Sequence, residues 1–138
     1  MRIAVMAETH LKAASRPLSP HLTIWRPTIT YLMSGMHRIT GAVLYLGMPF
    51  LAWWLIAAAS GPGAFDIANA FFGSWLGRLI LFGYTWTLIH HMLGGLRHLI
   101  WDTGWGLDVP TASRLGWATI VGSIVLTFVV WIIGYALR

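Results

Sequence analysis

The sequence predicts an all-α membrane protein: three transmembrane helices behind a polar N-terminal lead-in, forming one domain over residues 1–138. Three observations predict it. Charged residues make up only 9% of the chain and hydrophobic ones 57%, whereas a soluble domain carries about 25% charged residues. Two uncharged runs, Ile39–Ser60 and Leu115–Leu137, have roughly 22 and 23 residues, each enough to cross the hydrocarbon of a bilayer. A third apolar segment between them carries histidines and an arginine near one end.

Residues 1–29 form the lead-in. Pro17, Pro20 and Pro27 prevent a long helix there, and Arg2, Lys12, Arg16 and Arg26 make it basic. Trp25 stands where an interfacial anchor belongs. The first helix is expected over residues 30–59, kinked at Pro49, with Trp53 and Trp54 at the far interface. Gly61, Pro62 and Gly63 read as a turn, followed by Asp66. The second helix is expected over residues 68–100, with Arg78 snorkelling at its outer end and Trp101 and Trp105 at the near interface. Gly104, Gly106 and Pro110 read as a loop before a third helix over residues 112–136.

Lysine and arginine placement sets orientation. Four such residues lie in the lead-in, Arg97 and Arg114 flank the second loop, and the first loop has none before Arg78. The N-terminus is therefore expected to be cytoplasmic. The lead-in lacks the apolar core of a cleaved signal peptide and the long Arg/Ser-rich stretch of an organellar presequence. A bacterial inner membrane is the simpler address, ahead of the mitochondrial one. The net charge of +5 suits anionic lipid or an acidic partner rather than nucleic acid. With no cysteine, disulfides, zinc–thiolate sites and iron–sulfur ligation within this chain are excluded. Three helices leave little room for an active site, so the chain is expected to work with partners.

The chemistry concentrates in Leu88–Asp102, LIHHMLGGLRHLIWD. An arginine at membrane depth costs roughly 2.5–3.5 kcal/mol on insertion scales, which makes such groups functional suspects. His91, Gly94, Gly95 and His98 share one helical stripe. An imidazole beside two glycines suits a flat ligand lying close to the backbone. The first helix has its own cluster in LMSGMHRITG: Ser34 pairs with Arg38, and His37 with Gly41, each four residues apart. At 1.5 Å per residue, Arg38 lies roughly 10 Å in from Tyr31 and His91 roughly 15 Å in from Trp101. Both clusters enter from the same side and can face one another, with Arg38 and His37 between His91 and the inner surface.

Haem meets that layout, an imidazole binding iron and cations meeting the propionates. Blander readings stand beside it. An intramembrane histidine also serves as a hydrogen-bonding helix contact, the glycine pair as a packing face, Arg38 as a snorkelling cation and Ser34 as a back-bonded helix serine. A transporter-like proton relay is a further reading, although the second helix offers no intramembrane carboxylate. His90 points about 100° from His91 and cannot share its site. His98 is nearer the surface, within reach of a carboxylate or headgroup. His10 and His21 read as solvated or partner-facing.

SPHLTIW (Ser19–Trp25), SGMHRITG (Ser34–Gly41) and HHMLGGLRHLIWD (His90–Asp102) resemble the cytochrome b membrane-anchor subunit of succinate dehydrogenase, respiratory complex II. The resemblance implies a four-subunit complex: a flavoprotein subunit, an iron–sulfur subunit, this chain and a second small membrane-anchor subunit. It implies one haem b shared between the anchors, with His91 as one axial ligand and the other from the partner. It further implies His37 and Arg38 beside the propionates, and Ser34 and Arg38 lining a ubiquinone pocket. On this reading the chain is not catalytic alone. A fumarate reductase anchor shares the architecture, and a purely structural anchor without haem is the rival of a different kind.

Overall fold

The computed structural model describes residues 25–137. His10, His21, the basic residues before Arg26 and most of SPHLTIW lie outside the described residues. Four helices follow one another: α1 (Ile29–Ser60), α2 (Pro62–Gly73), α3 (Trp75–Asp102) and α4 (Val109–Ala136). Of these, α1 and α4 are each long and apolar enough to cross a membrane.

The helix starts follow capping chemistry. The Thr28 hydroxyl accepts from the Tyr31 amide and opens α1, which continues through Pro49 to Ser60. Gly61, at φ 113°, turns the chain alone; Pro62 already stands in the first turn of α2. The expected Gly-Pro-Gly turn is thus one residue wide, because proline's fixed φ and missing N–H suit a helix start. The helix expected over residues 68–100 is two. Ser74 is extended (φ −63°, ψ 160°) and ends α2, its amide bonding back to Ala70 and Phe71. Its hydroxyl oxygen accepts from the Gly77 amide at 3.0 Å and opens α3. A serine after Phe72-Gly73 is a stop-and-start signal that hydropathy alone conceals. Within the same joint, a Cβ on Gly77 would strike the Phe71 carbonyl oxygen and the Phe72 backbone.

α4 begins at Val109, three residues before the expected start, and takes in Pro110. Asp108 caps it, its carboxylate accepting from the Thr111 amide at 3.0 Å. That bond, with a further one to Thr111, holds the Asp108 carboxyl below its ordinary pKa. A carboxyl depressed on folding stabilises fully above the unfolded pKa, about 3.9, and that stabilisation fades as pH falls through the lower folded value. Amide exchange at the start of α4, corrected for its intrinsic rate, is therefore expected to accelerate below about pH 4. In Asp108→Asn the cap persists without this pH dependence, and in Asp108→Ala exchange is faster at every pH.

Packing inverts the polarity of a soluble domain. The buried polar set is Thr40, Thr87, His90, Arg97, Thr119, Ser123 and Thr127, whereas leucine, isoleucine, valine and phenylalanine side chains cover the outside. Ala112, Gly116, Thr119, Ser123 and Thr127 form one buried stripe of α4. The hydroxyls of Thr119 and Thr127 donate back to their own helix at 2.9 and 2.7 Å, so the stripe presents little bulk and lets backbones approach. Tyr84 of α3 lies over Gly47 of α1 and donates to the Leu44 carbonyl at 3.0 Å. Outside this bundle, Trp54 donates to Asn69 at 3.1 Å and ties α2 to α1.

Candidate functional site

The α1–α3 contact is built from two histidines that each use a glycine on the other helix. The His91 ring sits over Gly41, where an added Cβ would lie 3.1 Å from its Cε1. The His37 ring sits over Gly94, where an added Cβ would lie 2.6 Å from its Nδ1. The two imidazoles stack with centroids 4.0 Å apart and planes within 4°. Their helical spacings explain the reciprocity: Gly41 is one turn beyond His37, and Gly94 is one turn beyond His91. Gly94, expected to bed a flat ligand, instead receives His37, while Gly95 faces open space.

His91 Nδ1 lies 3.2 Å from the His37 carbonyl oxygen, an acceptor that suits the tautomer with its proton on Nδ1. The Thr40 hydroxyl, 3.1 Å from the same nitrogen, donates to the Met36 carbonyl at 2.8 Å and has lone pairs left for His91. In a neutral imidazole the remaining lone pair is then on Nε2. A ring oriented through Nδ1–H with a free Nε2 is the arrangement of a metal-ligating histidine. The donor chemistry therefore fits one axial position on a haem iron. Among the described residues no group of three or more His, Cys, Asp or Glu side chains is gathered to hold a metal.

The other expected site residues are placed differently. Ser34 and Arg38 are exposed on the outer side of α1, one turn apart. No hydrogen bond joins either to His91 among the described residues, and His37 rather than Arg38 meets the His91 ring. His98 is exposed, with its ring 5.4 Å from His37 and 5.2 Å from Trp101. The imidazoles 91, 37 and 98 thus form one group along the α1–α3 seam.

A second polar group was not singled out by the sequence. His90 is 1% exposed and turns toward α4. Ser123 Oγ donates to the Ile120 carbonyl at 2.9 Å and faces His90 Nδ1 at 3.2 Å. Adjacent histidines thus serve opposite helices, as their 100° separation requires. Arg97, two turns beyond His90 on the same stripe, is 3% exposed. Its guanidinium lies 5.0 Å from the Trp101 ring, and its Nη1 would be 3.8 Å from a Cβ on Gly116. Nε and Nη1 find no hydrogen-bond partner among the described residues. A cation–π contact of this kind contributes about 0.5–2 kcal/mol. The signal for this group was present in α4, whose small residues at positions 112, 116, 119, 123 and 127 leave space for large polar side chains opposite.

Comparison with known proteins gives a consistent picture. The family model for the succinate dehydrogenase/fumarate reductase transmembrane subunit matches residues 12–130. A succinate dehydrogenase cytochrome b556 subunit of Paracoccus denitrificans is 45% identical over 119 residues, covering 86% of this chain and 92% of its own. The protein of the same description from Rickettsia prowazekii is 37% identical over 117 residues, covering 85% and 91%. A succinate dehydrogenase cytochrome b560 subunit of Reclinomonas americana is 34% identical over 135 residues, covering 86% of each chain.

Proposed function

Because the chain belongs to the succinate dehydrogenase/fumarate reductase transmembrane-subunit family, we propose that it anchors complex II in the membrane, binds one haem b and helps to form the quinone-reducing site. Its work is done in an assembly. A flavoprotein subunit oxidises succinate, an iron–sulfur subunit carries the electrons, and a second small anchor subunit completes the membrane part. α3, about 42 Å long at 1.5 Å per residue, is the third span between α1 and α4. The N-terminus lies on the cytoplasmic side of a bacterial inner membrane, with α2 at the opposite surface.

The observation that carries the haem reading is the approach of His91 Nδ1 to the His37 carbonyl at 3.2 Å, since a ring that donates there leaves Nε2 free. His91 would hold the haem from this chain, and the partner anchor would complete its binding. When bound, the haem supplies a one-electron redox centre at this depth. Thr40 and the His37 carbonyl hold the ligand's tautomer and ring plane, and the His37 ring backs it.

Ser34 and Arg38 are assigned to ubiquinone, with Arg38 and His37 toward the haem propionates. The exposure of Ser34 and Arg38 supports a pocket completed by the partner subunits. A hydroxyl and a guanidinium one turn apart can each donate to a quinone oxygen and stabilise the charge that develops on reduction. In the purified complex, Arg38→Leu is expected to lower succinate–quinone activity by at least tenfold, one strong charge-assisted hydrogen bond in free-energy terms. Ser34→Ala is expected to lower it less, and succinate oxidation by an artificial dye should persist in both. Normal quinone activity in both variants rejects the quinone assignment. A wild-type complex with no b-type reduced-minus-oxidised spectrum rejects the haem assignment and leaves a structural anchor.

A further inference from the structure

Arg97 is the charged group for which the reading above has no use. It lies on α3 six residues beyond His91, about 9 Å along the axis. The guanidinium is enclosed by α1, α3 and α4: Trp101 covers one side, and Ile29 and Met33 approach the same Gly116 surface that its Nη1 faces. Nε and Nη1 are shut off from solvent without a hydrogen-bond acceptor among the described residues. A guanidinium keeps its proton in such surroundings. The result is a fixed positive charge, two of whose three nitrogens are closed off and which no carboxylate among the described residues neutralises.

We infer that Arg97 is a tuning residue that raises the reduction potential of the haem ligated through His91, acting through space rather than by contact. The inference rests on the haem reading proposed above. Reduction of ferric to ferrous iron adds one electron, delivered from succinate through the iron–sulfur subunit. A nearby uncompensated cation favours the state with the added electron. The interaction weakens as the inverse of distance and of the effective dielectric constant, and it is strong here because the intervening medium is packed helix. His90, on the same stripe, does not cancel the charge: its Nδ1 faces a serine hydroxyl rather than a carboxylate.

The test is a redox titration of the haem absorbance in the purified four-subunit complex, with haem content measured separately. In Arg97→Gln the ferrous-to-ferric ratio at the wild-type midpoint should fall roughly tenfold, which for one electron is about 59 mV. Arg97→Lys should keep most of the wild-type value. A fully haem-loaded Arg97→Gln complex with an unchanged or higher midpoint overturns the inference. Absence of any b-type signal in the wild type would instead sink the haem reading itself. If Arg97→Gln fails to assemble, Met33→Glu against Met33→Gln decides the matter. Met33 is buried and packs against the Gly116 surface that Arg97 also reaches. The glutamate is expected to lower the midpoint relative to glutamine, and equal midpoints in these two variants would refute the role of the charge.

Discussion

Replacing His91 with alanine is expected to abolish the b-type absorbance of the assembled complex. On the proposed reading a ligating side chain is lost, and among the described residues neither neighbouring histidine is placed to replace it. His37 is the nearest imidazole, stacked at 4.0 Å, but its Nδ1 is packed against Gly94 without a partner and its ring is carried by the other helix. His90 is the adjacent residue, and it faces Ser123 on the α4 side. Two further variants separate ligation from packing. Thr40→Val removes a hydroxyl beside Nδ1 but keeps the His37 carbonyl. It is expected to weaken haem retention by about 10–100-fold, the usual effect of losing a group that orients a metal ligand. His37→Ala keeps that carbonyl as well and removes the stacked ring together with its proposed propionate contact, so haem should be retained with an altered spectrum. Haem content and the reduced-minus-oxidised spectrum are the readouts. A normal spectrum in His91→Ala would contradict the assignment directly.

The largest effect on stability is expected at Gly77. Exchanging glycine for alanine within a helix normally gains up to about 1 kcal/mol. Here the added methyl would strike the Phe71 carbonyl oxygen and the Phe72 backbone across the Ser74 joint. Backbone on both sides of a capped joint cannot swing aside as a side-chain tip can. Overpacking of this kind costs about 1–3 kcal/mol, sometimes more, and removing it would open the angle between α2 and α3. Gly77→Ala should therefore lower the thermal midpoint of the detergent-solubilised complex. Gly73→Ala is the control: it lies in the same joint region with open space around it, and it should leave the midpoint unchanged or slightly raised. Equal behaviour of the two variants would mean that the joint is not close-packed.

Elements that depend on local composition were legible in the sequence. The uncharged runs give α1 and α4 almost in full, because lipid-crossing length follows from hydropathy. The joint at Ser74 was concealed because Phe71, Phe72, Trp75 and Leu76 keep hydropathy high on both sides. Its signal lies in capping residues, as does that of Asp108 ahead of Val109. The facing of the His37 and His91 clusters across α1 and α3 was legible from their depths. The partner of the His91 ring was not, because whether His37 or Arg38 faces α3 depends on a 100° rotation of α1 that packing decides. Gly41 and Gly94 are the residues that decide it, since each admits a ring that any side chain would push away. His90 and Arg97 required α4 to be read as a surface of small residues with space to fill, rather than as a uniformly apolar span.

The inverted polarity of the bundle bears on biogenesis. With α3 as the proposed third span, His90 and Arg97 would face lipid before the helices dock, and both are buried in the docked bundle. Insertion of α3 would thereby be coupled to the arrival of its neighbours, whereas α1 and α4 are each long and apolar enough to cross a membrane. A chain stalled short of docking would display an imidazole and a guanidinium in the bilayer, features by which membrane quality control can tell an orphaned subunit from a finished one.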